Sequence, residues 1–553
     1  MTAPGPPAPD HAPADLVINA AVYRGDAVRG WSRSIAVRGD RIVALGTPAE
    51  TAALVGPRTR VIDAPDKVVL PGFQDSHIHA PFAGRNRLHL FLNDLSGRDA
   101  YLAAITAYAD ANPDQPWIIG GGWAMEYFPG GTPDKADLDA ILPDRPVFLF
   151  NRDVHGAWVN SAALAIAGID AATPDPFDGR YERDADGNPT GTLHEGAAYS
   201  FNDHVVPLPD LAEWRAAILH AQTYLHTLGI TGWQDAWVTP ATLEAYASLA
   251  AEDALTARVV GALWWDRHRG LEQIPDLVEQ RERATGGRFF PTTVKIMTDG
   301  VLENYTGALL APYCDGCGGH TDNSGLQFID HDLLCAAVTE LTRLGFQVHL
   351  HAIGDRAVRD ALDAIEAARD VHGPHDLRHH IAHLQIVQPD DIPRFRALDA
   401  VANCQTLWAQ SDPQMTELTL PFLGQERVDL MYPFGDLARA GTVLAMGSDW
   451  SVSTANPLLQ MEVAVTRVGP EHRNCPPFLP SQAISLADAV AGFTSGTAYV
   501  NHDEHDAGSL VVGKRADLVL LDRNIFDTDA GHIGEATVQL TISNGTVVHE
   551  LLG

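Results

Sequence analysis

The stretch VVLPGFQDSHIHA, residues 68–80, carries two imidazoles at a spacing that can serve a metal ion. Val68, Val69 and Leu70, then Phe73 to Ile78, read as a short apolar strand interrupted at Pro71-Gly72, with His77 and His79 at its end. Side chains alternate along a strand, so these two histidines point the same way. An H-x-H pair by itself is more often core packing than a metal site. Four further groups change that reading: Lys295 in TTVKIMTDG, His351 in VHLHAIGD, His383 in IAHLQ and Asp449 in LAMGSDW. Each stands at or near the end of a short apolar run, as expected of groups gathered at the C-terminal mouth of a β/α barrel.

Histidine nitrogens suit Zn²⁺, and the Asp449 carboxylate adds an oxygen. One ion could use His77, His79, His351, His383 and Asp449, but two fit so many donors better. Two dications about 3.5 to 4 Å apart repel and need a bridging anion. Lys295 supplies one if its amine reacts with CO2 to give a carbamate; the competing reading is a buried lysine paired with Asp299. Such a centre brings the pKa of a bound water toward neutral and polarises a carbonyl oxygen. It leaves Asp449 placed to take the water's proton and pass it to a leaving nitrogen. The chemistry implied is hydrolysis of a C–N bond.

The elements that must position these groups follow from the pattern around them. GITGWQDAW, ARVVGALWW, TTVKIMTDG, GFQVHLHAIGD, HHIAHLQ, AVANCQTLW and TVLAMGSDW are strand candidates, and most are separated by helix-like stretches. DHDLLCAAVTELTRLG and RAVRDALDAIEAARDVHG are amphipathic helices ending at Gly345 and Gly373. With the His77 strand this makes eight, the number that closes a (β/α)8 barrel, placed over 67–80 and 229–507. Both chain ends, 15–66 and 508–553, read as short strands with a hairpin turn at Asn544-Gly545, and are expected to join as a composite β-sandwich. Residues 81–228, helix-rich and loop-rich, have no place in a βα repeat and read as an inserted α/β lid that selects the substrate. Within it an apolar strand, RPVFLF, runs toward His155, and a helix is expected to start at Asn160-Ser161. Trp123, His155, Glu195 and, from the barrel, Trp408 are candidate substrate contacts, with Glu126 and Trp158 behind them. Trp237, Trp264 and Trp265 are compatible with the same apolar pocket.

The composition, 45% hydrophobic and 20% charged over 553 residues, is that of a soluble globular protein. A net charge of −33 speaks against nucleic acid or an anionic membrane as partner, since both draw their affinity from Lys and Arg. No apolar run approaches the roughly 20 residues of a membrane span. The first residues, 1–14, show no secretory signal and read as a disordered tail. Five scattered cysteines suit a reducing cytoplasm. Cys314-x-x-Cys317, followed by His320, lacks the second pair that a structural zinc site needs. A small molecule is the expected substrate, and a homodimer is compatible with the chain.

The set GFQDSHIH, VKIMTDG, HLHAIGDRAV, IAHLQIVQPDDIPRF, GSDWSV and GSLVVGKRADLVLLD resembles the amidohydrolase superfamily, in particular the family 3 branch that includes N-substituted formamide deformylases. The resemblance runs from about residue 15 to the end. It implies a distorted TIM barrel with a composite β-sandwich, and zinc as the usual metal. By it His77 and His79 match the first-strand pair, Lys295 the fourth-strand lysine that is often carboxylated, His351 and His383 the fifth- and sixth-strand histidines, and Asp449 the eighth-strand aspartate. His349, on the same strand face as His351, is the rival ligand; His351 lies nearer the mouth. Ala382 and Thr406-Leu407-Trp408 depart from the family pattern, which bears on the substrate more than on the hydrolysis. The expectation is a zinc-dependent hydrolase of linear N-acyl or N-formyl compounds. A cyclic amidohydrolase or hydrolytic deaminase on the same site is the alternative, and a catalytically silent metal-binding barrel is the alternative of another class.

Overall fold

The computed structural model describes residues 12–552. Eight parallel strands form the central sheet: β1 (Phe73–Ile78), β2 (Ile230–Val238), β3 (Arg258–Trp264), β4 (Phe289–Met297), β5 (Gln347–Ala352), β6 (His380–His383), β7 (Val401–Cys404) and β8 (Leu444–Met446). They pair in sequence order, β1 with β2 through to β7 with β8. Helices cover the outer face and inward side chains fill the interior, so both faces of the strands are buried. Asp330 caps helix His331–Arg343, and the positive φ of Gly345 and Gly373, 75° and 74°, ends that helix and Asp355–His372 as the sequence predicts.

Among the described residues the ladder stops between β8 and β1, and the loop after β8 closes the ring. The Asp449 amide donates to the His77 carbonyl at 2.8 Å, and the His79 amide to the Trp450 carbonyl at 2.9 Å. Gly447 makes this approach possible: a Cβ there would lie 2.5 Å from the His77 nitrogen and 2.6 Å from its Cβ. The seam of the barrel is thus also where three candidate ligands, His77, His79 and Asp449, meet.

Strands from both chain ends hydrogen-bond into one seven-stranded sheet. Its long strand, Arg60–Pro71, pairs in parallel with Leu16–Tyr23 and, through Val68 to Pro71, antiparallel with Leu518–Leu521. One residue, Gly72, then separates it from β1, so this sheet anchors the strand that carries His77. Inward residues alternate, with Ile18, Ala20 and Val22 packed on Leu518, Leu520 and Ile542. Asn544 and Gly545 both have positive φ, as a two-residue hairpin turn requires. Of the expected tail, residues 1–11 lie outside the described residues; Ala14 is buried and its amide donates to the Leu54 carbonyl at 2.8 Å.

Between β1 and β2 the chain builds a six-stranded mixed sheet from Leu90–Phe91, Ile118–Trp123, Val147–Asn151, Gly156–Val159, Gly179–Arg183 and Pro189–Glu195. This is more strand than the sequence suggests. Ile118–Trp123 contains three consecutive glycines, which erase the side-chain alternation by which a strand is recognised. The Asn160 side chain caps helix Ser161–Ala167, at the predicted start. Helix Leu211–Thr227 then packs on Ala80–Leu88 and returns the chain to the barrel. No helix among the described residues is long and apolar enough to cross a membrane.

Candidate metal centre and its cavity

His77, His79 and Asp449 each offer an atom, all within 4.8 Å of one another. Asp449 Oδ1 lies 2.9 Å from His79 Nε2 and 3.3 Å from His77 Nε2, and its Oδ2 lies 3.9 Å from His383 Nδ1. The His77 and His383 ring centroids are 4.7 Å apart, and those of His351 and His383 4.4 Å. Lys295 and His351 line the same cavity. The structure therefore brings all six sequence-predicted groups to one mouth of the barrel.

The tautomer of His77 follows from its hydrogen bonds. Gln234 Oε1 takes the Nδ1 proton of His349 at 2.7 Å, which leaves His349 Nε2 to accept from His77 Nδ1 at 2.9 Å. The free lone pair of His77 is then on Nε2, facing Asp449. His349, the rival ligand, is wholly occupied behind His77 and is absent from the cavity wall. His351 donates from Nε2 to the Gly300 carbonyl at 3.1 Å, so Nδ1 is its nitrogen left for a cation.

A second set of side chains holds the loops. Asp75 Oδ1 accepts the amides of His77 and Ser448, both at 3.0 Å, tying β1 to the β8 loop. From β7, Asn403 donates to the Ser76 carbonyl at 2.9 Å, and beyond the strand Gln405 accepts the His383 amide at 2.8 Å. His383 and Asp449 have φ of 79° and 55°, left-handed values that non-glycine residues adopt at a cost and that these bonds sustain. Asp299, the proposed partner of Lys295, instead accepts the amides of Ala308, Ile353 and Gly354 at 2.8 to 3.0 Å.

His77 Nε2, His383 Nδ1 and Asp449 Oδ1 are buried and, among the described residues, make no hydrogen bond; the 2.9 and 3.3 Å approaches to Asp449 Oδ1 are contacts of a carboxylate with imidazole nitrogens. Each such atom costs about 1–3 kcal/mol if it stays unpaired. Their convergence with His79 matches what a cation would satisfy, and nitrogen with carboxylate oxygen is the donor set of zinc. Burial pushes His77 down to about 3, which keeps its imidazole neutral and able to ligate. Burial likewise brings Lys295 down to about 7, so much of its amine is unprotonated at neutral pH.

The cavity has an aromatic wall of Tyr199, Trp237 and Trp264. His155 also lines it, with Nδ1 at 2.9 and 3.1 Å from the two oxygens of the fully buried Glu195. Against the downward pull of burial, Glu195 lifts His155 to about 8. Past Asp153 and Val452 the cavity opens into a larger cleft that Glu126 and Trp408 line. Trp408 stacks on His383, centroids 5.2 Å apart and planes 2° from parallel. Trp123 and Trp158 are elsewhere. Both are buried in the core of the inserted sheet, where the Trp123 indole donates to the Leu149 carbonyl at 2.9 Å, so neither reaches either space. Trp265 is core as well. Cys314 Sγ and His320 Nδ1 are 4.0 Å apart while Cys317 is exposed, and the three do not gather as a metal group.

Sequence reasoning missed Asp75, Asp153 and Tyr199. Asp75 carried a signal, an acid two residues before His77 within a buried strand. Asp153 follows the recognised strand toward His155 and Tyr199 sits on the helix Gly196–His204; neither carries a local mark of a site.

A family model described as "Amidohydrolase family" matches residues 60–549. The chain is 30% identical to protein LONG AFTER FAR-RED 3 of Arabidopsis thaliana, an alignment covering 93% of this chain and 88% of that protein. It is 28% identical to an N-substituted formamide deformylase of Arthrobacter pascens, covering 97% and 98%. Among solved structures it is similar to an uncharacterized metal-dependent hydrolase from Pyrococcus furiosus, with TM-score 0.70, 25% identity, and 92% and 99% covered.

Proposed function

This chain belongs to the amidohydrolase family, and from that premise we propose a metal-dependent hydrolase that cleaves the C–N amide bond of a linear N-acyl or N-formyl compound. The observation that carries the reading is the convergence of His77 Nε2, His383 Nδ1 and Asp449 Oδ1, buried and without a hydrogen bond among the described residues. His77, His79, His351, His383 and Asp449 would hold zinc, and a carboxylated Lys295 would bridge two ions. Zinc bound there supplies a Lewis acid that polarises the carbonyl and brings water's pKa toward neutral. The unprotonated fraction of Lys295 supports carbamate formation, because only a free amine attacks CO2. Asp449 takes the proton released as water attacks the carbonyl carbon. Tyr199, Trp237 and Trp264 exclude bulk water and receive the apolar part of the substrate. The formamide deformylase among its relatives supports an amide substrate.

Elemental analysis, paired with hydrolysis of N-formyl and N-acyl amines before and after chelation, tests this. The expected result is about two zinc per chain and chelator-sensitive release of amine. Asp449→Asn should keep most of the metal and lose at least about 100-fold in kcat, and His77→Ala should lose both. Failure to bind zinc or turn over after reconstitution with zinc and bicarbonate would remove the proposal, as would full activity of Asp449→Asn.

A further inference from the structure

Glu195 stands at the end of the last strand of the inserted sheet with a left-handed φ of 52°, beside His155. Its carboxylate accepts from His155 Nδ1, from Thr306 Oγ1 at 2.7 Å and from Asn304 Nδ2 at 3.1 Å. The backbone is locked too: the Glu195 amide donates to the His155 carbonyl at 2.8 Å, and the His155 amide to Asp153 Oδ1 at 2.9 Å. Thr306 and Asn304 belong to the loop after β4. Gly300 in that loop admits the carboxylate, since a Cβ there would overlap Glu195 Oε1 and Thr306 Oγ1. The Gly300 carbonyl also accepts from His351. One barrel loop thus sets both His351 and the carboxylate that orients His155.

An imidazole's two nitrogens face nearly opposite ways. With Nδ1 turned onto Glu195, Nε2 is directed into the cavity that His155 lines, and among the described residues no protein group takes a hydrogen bond from it. The His155 and His351 ring centroids are 5.5 Å apart. A carboxylate on one imidazole nitrogen and a reactive space at the other is the arrangement by which a histidine moves protons in hydrolases.

We propose that His155 is the general acid of the reaction and Glu195 its positioning residue, a dyad that the inserted sheet lends to the barrel. The assignment rests on the hydrolase reading above and amends it, since sequence reasoning gave both proton transfers to Asp449. Asp449 takes a proton from the attacking water. As the C–N bond breaks and its electron pair goes to nitrogen, the Nε2 proton of His155 passes to that nitrogen, and the amine leaves neutral. The proton on Asp449 then returns to Nε2 directly or through solvent. Nδ1 keeps its proton on Glu195 throughout.

General-acid help matters only when the leaving group needs a proton. The test measures kcat of zinc-loaded wild type, His155→Gln and Glu195→Gln on an N-formyl alkylamine and on a formate aryl ester, with zinc content in parallel. His155→Gln should lose about 100- to 1000-fold on the alkylamide and less than about 10-fold on the ester, at unchanged zinc. Glu195→Gln should fall between. Equal losses on both substrates at unchanged zinc overturn the dyad and leave the hydrolase standing. Absence of chelator-sensitive hydrolysis of either substrate by wild type overturns both. Nitrogen-15 NMR of the zinc-free protein gives an answer free of turnover: the His155 ring should carry protons on both nitrogens at neutral pH in wild type, and lose the one on Nε2 while keeping the one on Nδ1 as pH rises. A neutral ring protonated on Nε2 instead would overturn the assignment.

Discussion

Replacing Asp75 by alanine tests whether one buried carboxyl holds the barrel seam and the metal site together. Asp75 is fully buried, and its Oδ1 accepts the amides of His77 and Ser448 at 3.0 Å each. The alanine variant leaves two buried N–H groups without an acceptor. At about 1–3 kcal/mol apiece, partly recovered by relaxation, the expected loss is about 3 kcal/mol of local stability. That corresponds to roughly a 100-fold rise in the opening equilibrium of this segment. Asp75→Asn is the control. Burial pushes the Asp75 carboxyl up to about 7, so its charge is not what stabilises the fold, and a neutral amide of the same shape keeps an acceptor oxygen. Hydrogen exchange of the zinc-free protein, read on peptides spanning 73–80 and 446–452, should show this acceleration in the alanine variant and about threefold or less in the asparagine variant. Zinc affinity should fall with it in alanine alone, because His77 and Asp449 are the neighbours released. Unchanged exchange in Asp75→Ala, or equal damage from both substitutions, would refute the reasoning.

The His155–Glu195 pair sets a pH window for stability. Against the upward push of burial, His155 and Thr306 hold Glu195 down to about 2, below its ordinary 4.5. That contribution is present above pH 4.5 and fades as pH falls toward 2. His155 is raised from 6.5 to about 8, so its contribution is whole below pH 6.5 and fades as pH rises through 8. Thermal unfolding of the zinc-free protein should therefore show a wild-type advantage over Glu195→Gln that is greatest between pH 4.5 and 6.5. A separate contrast divides the tryptophans: Trp123→Phe should lower thermal stability and leave KM unchanged, whereas Trp408→Ala should raise KM or lower zinc affinity through the lost stack on His383.

The barrel was legible because most of its strands carry short apolar runs alternating with helical stretches, with His77, His351, His383 and Asp449 at or just beyond their ends. The strands of the two chain ends were legible from their turns, Asn544-Gly545 above all; that they hydrogen-bond into one seven-stranded sheet was not. The inserted sheet was largely hidden, since glycine-rich Ile118–Trp123 and two-residue Leu90–Phe91 carry no periodicity to detect.

Residue type and strand position by themselves determined which groups could share a metal ion and at which end of the barrel they would meet, because covalent chemistry and the two-residue repeat of a strand are local properties. Only the tertiary structure decided what each histidine does there. His349 and His351 are two residues apart on one face; position along the strand favours His351 for the mouth, but only the fold shows that His349 is held between Gln234 and His77 while His351 lines the cavity. The same holds for His155 and Glu195, forty residues apart and joined across a sheet, and for the carboxylate of Asp75 bridging β1 to the loop after β8. Hydrogen bonds between distant segments carry no periodic signature, so they exist only once the chain has closed.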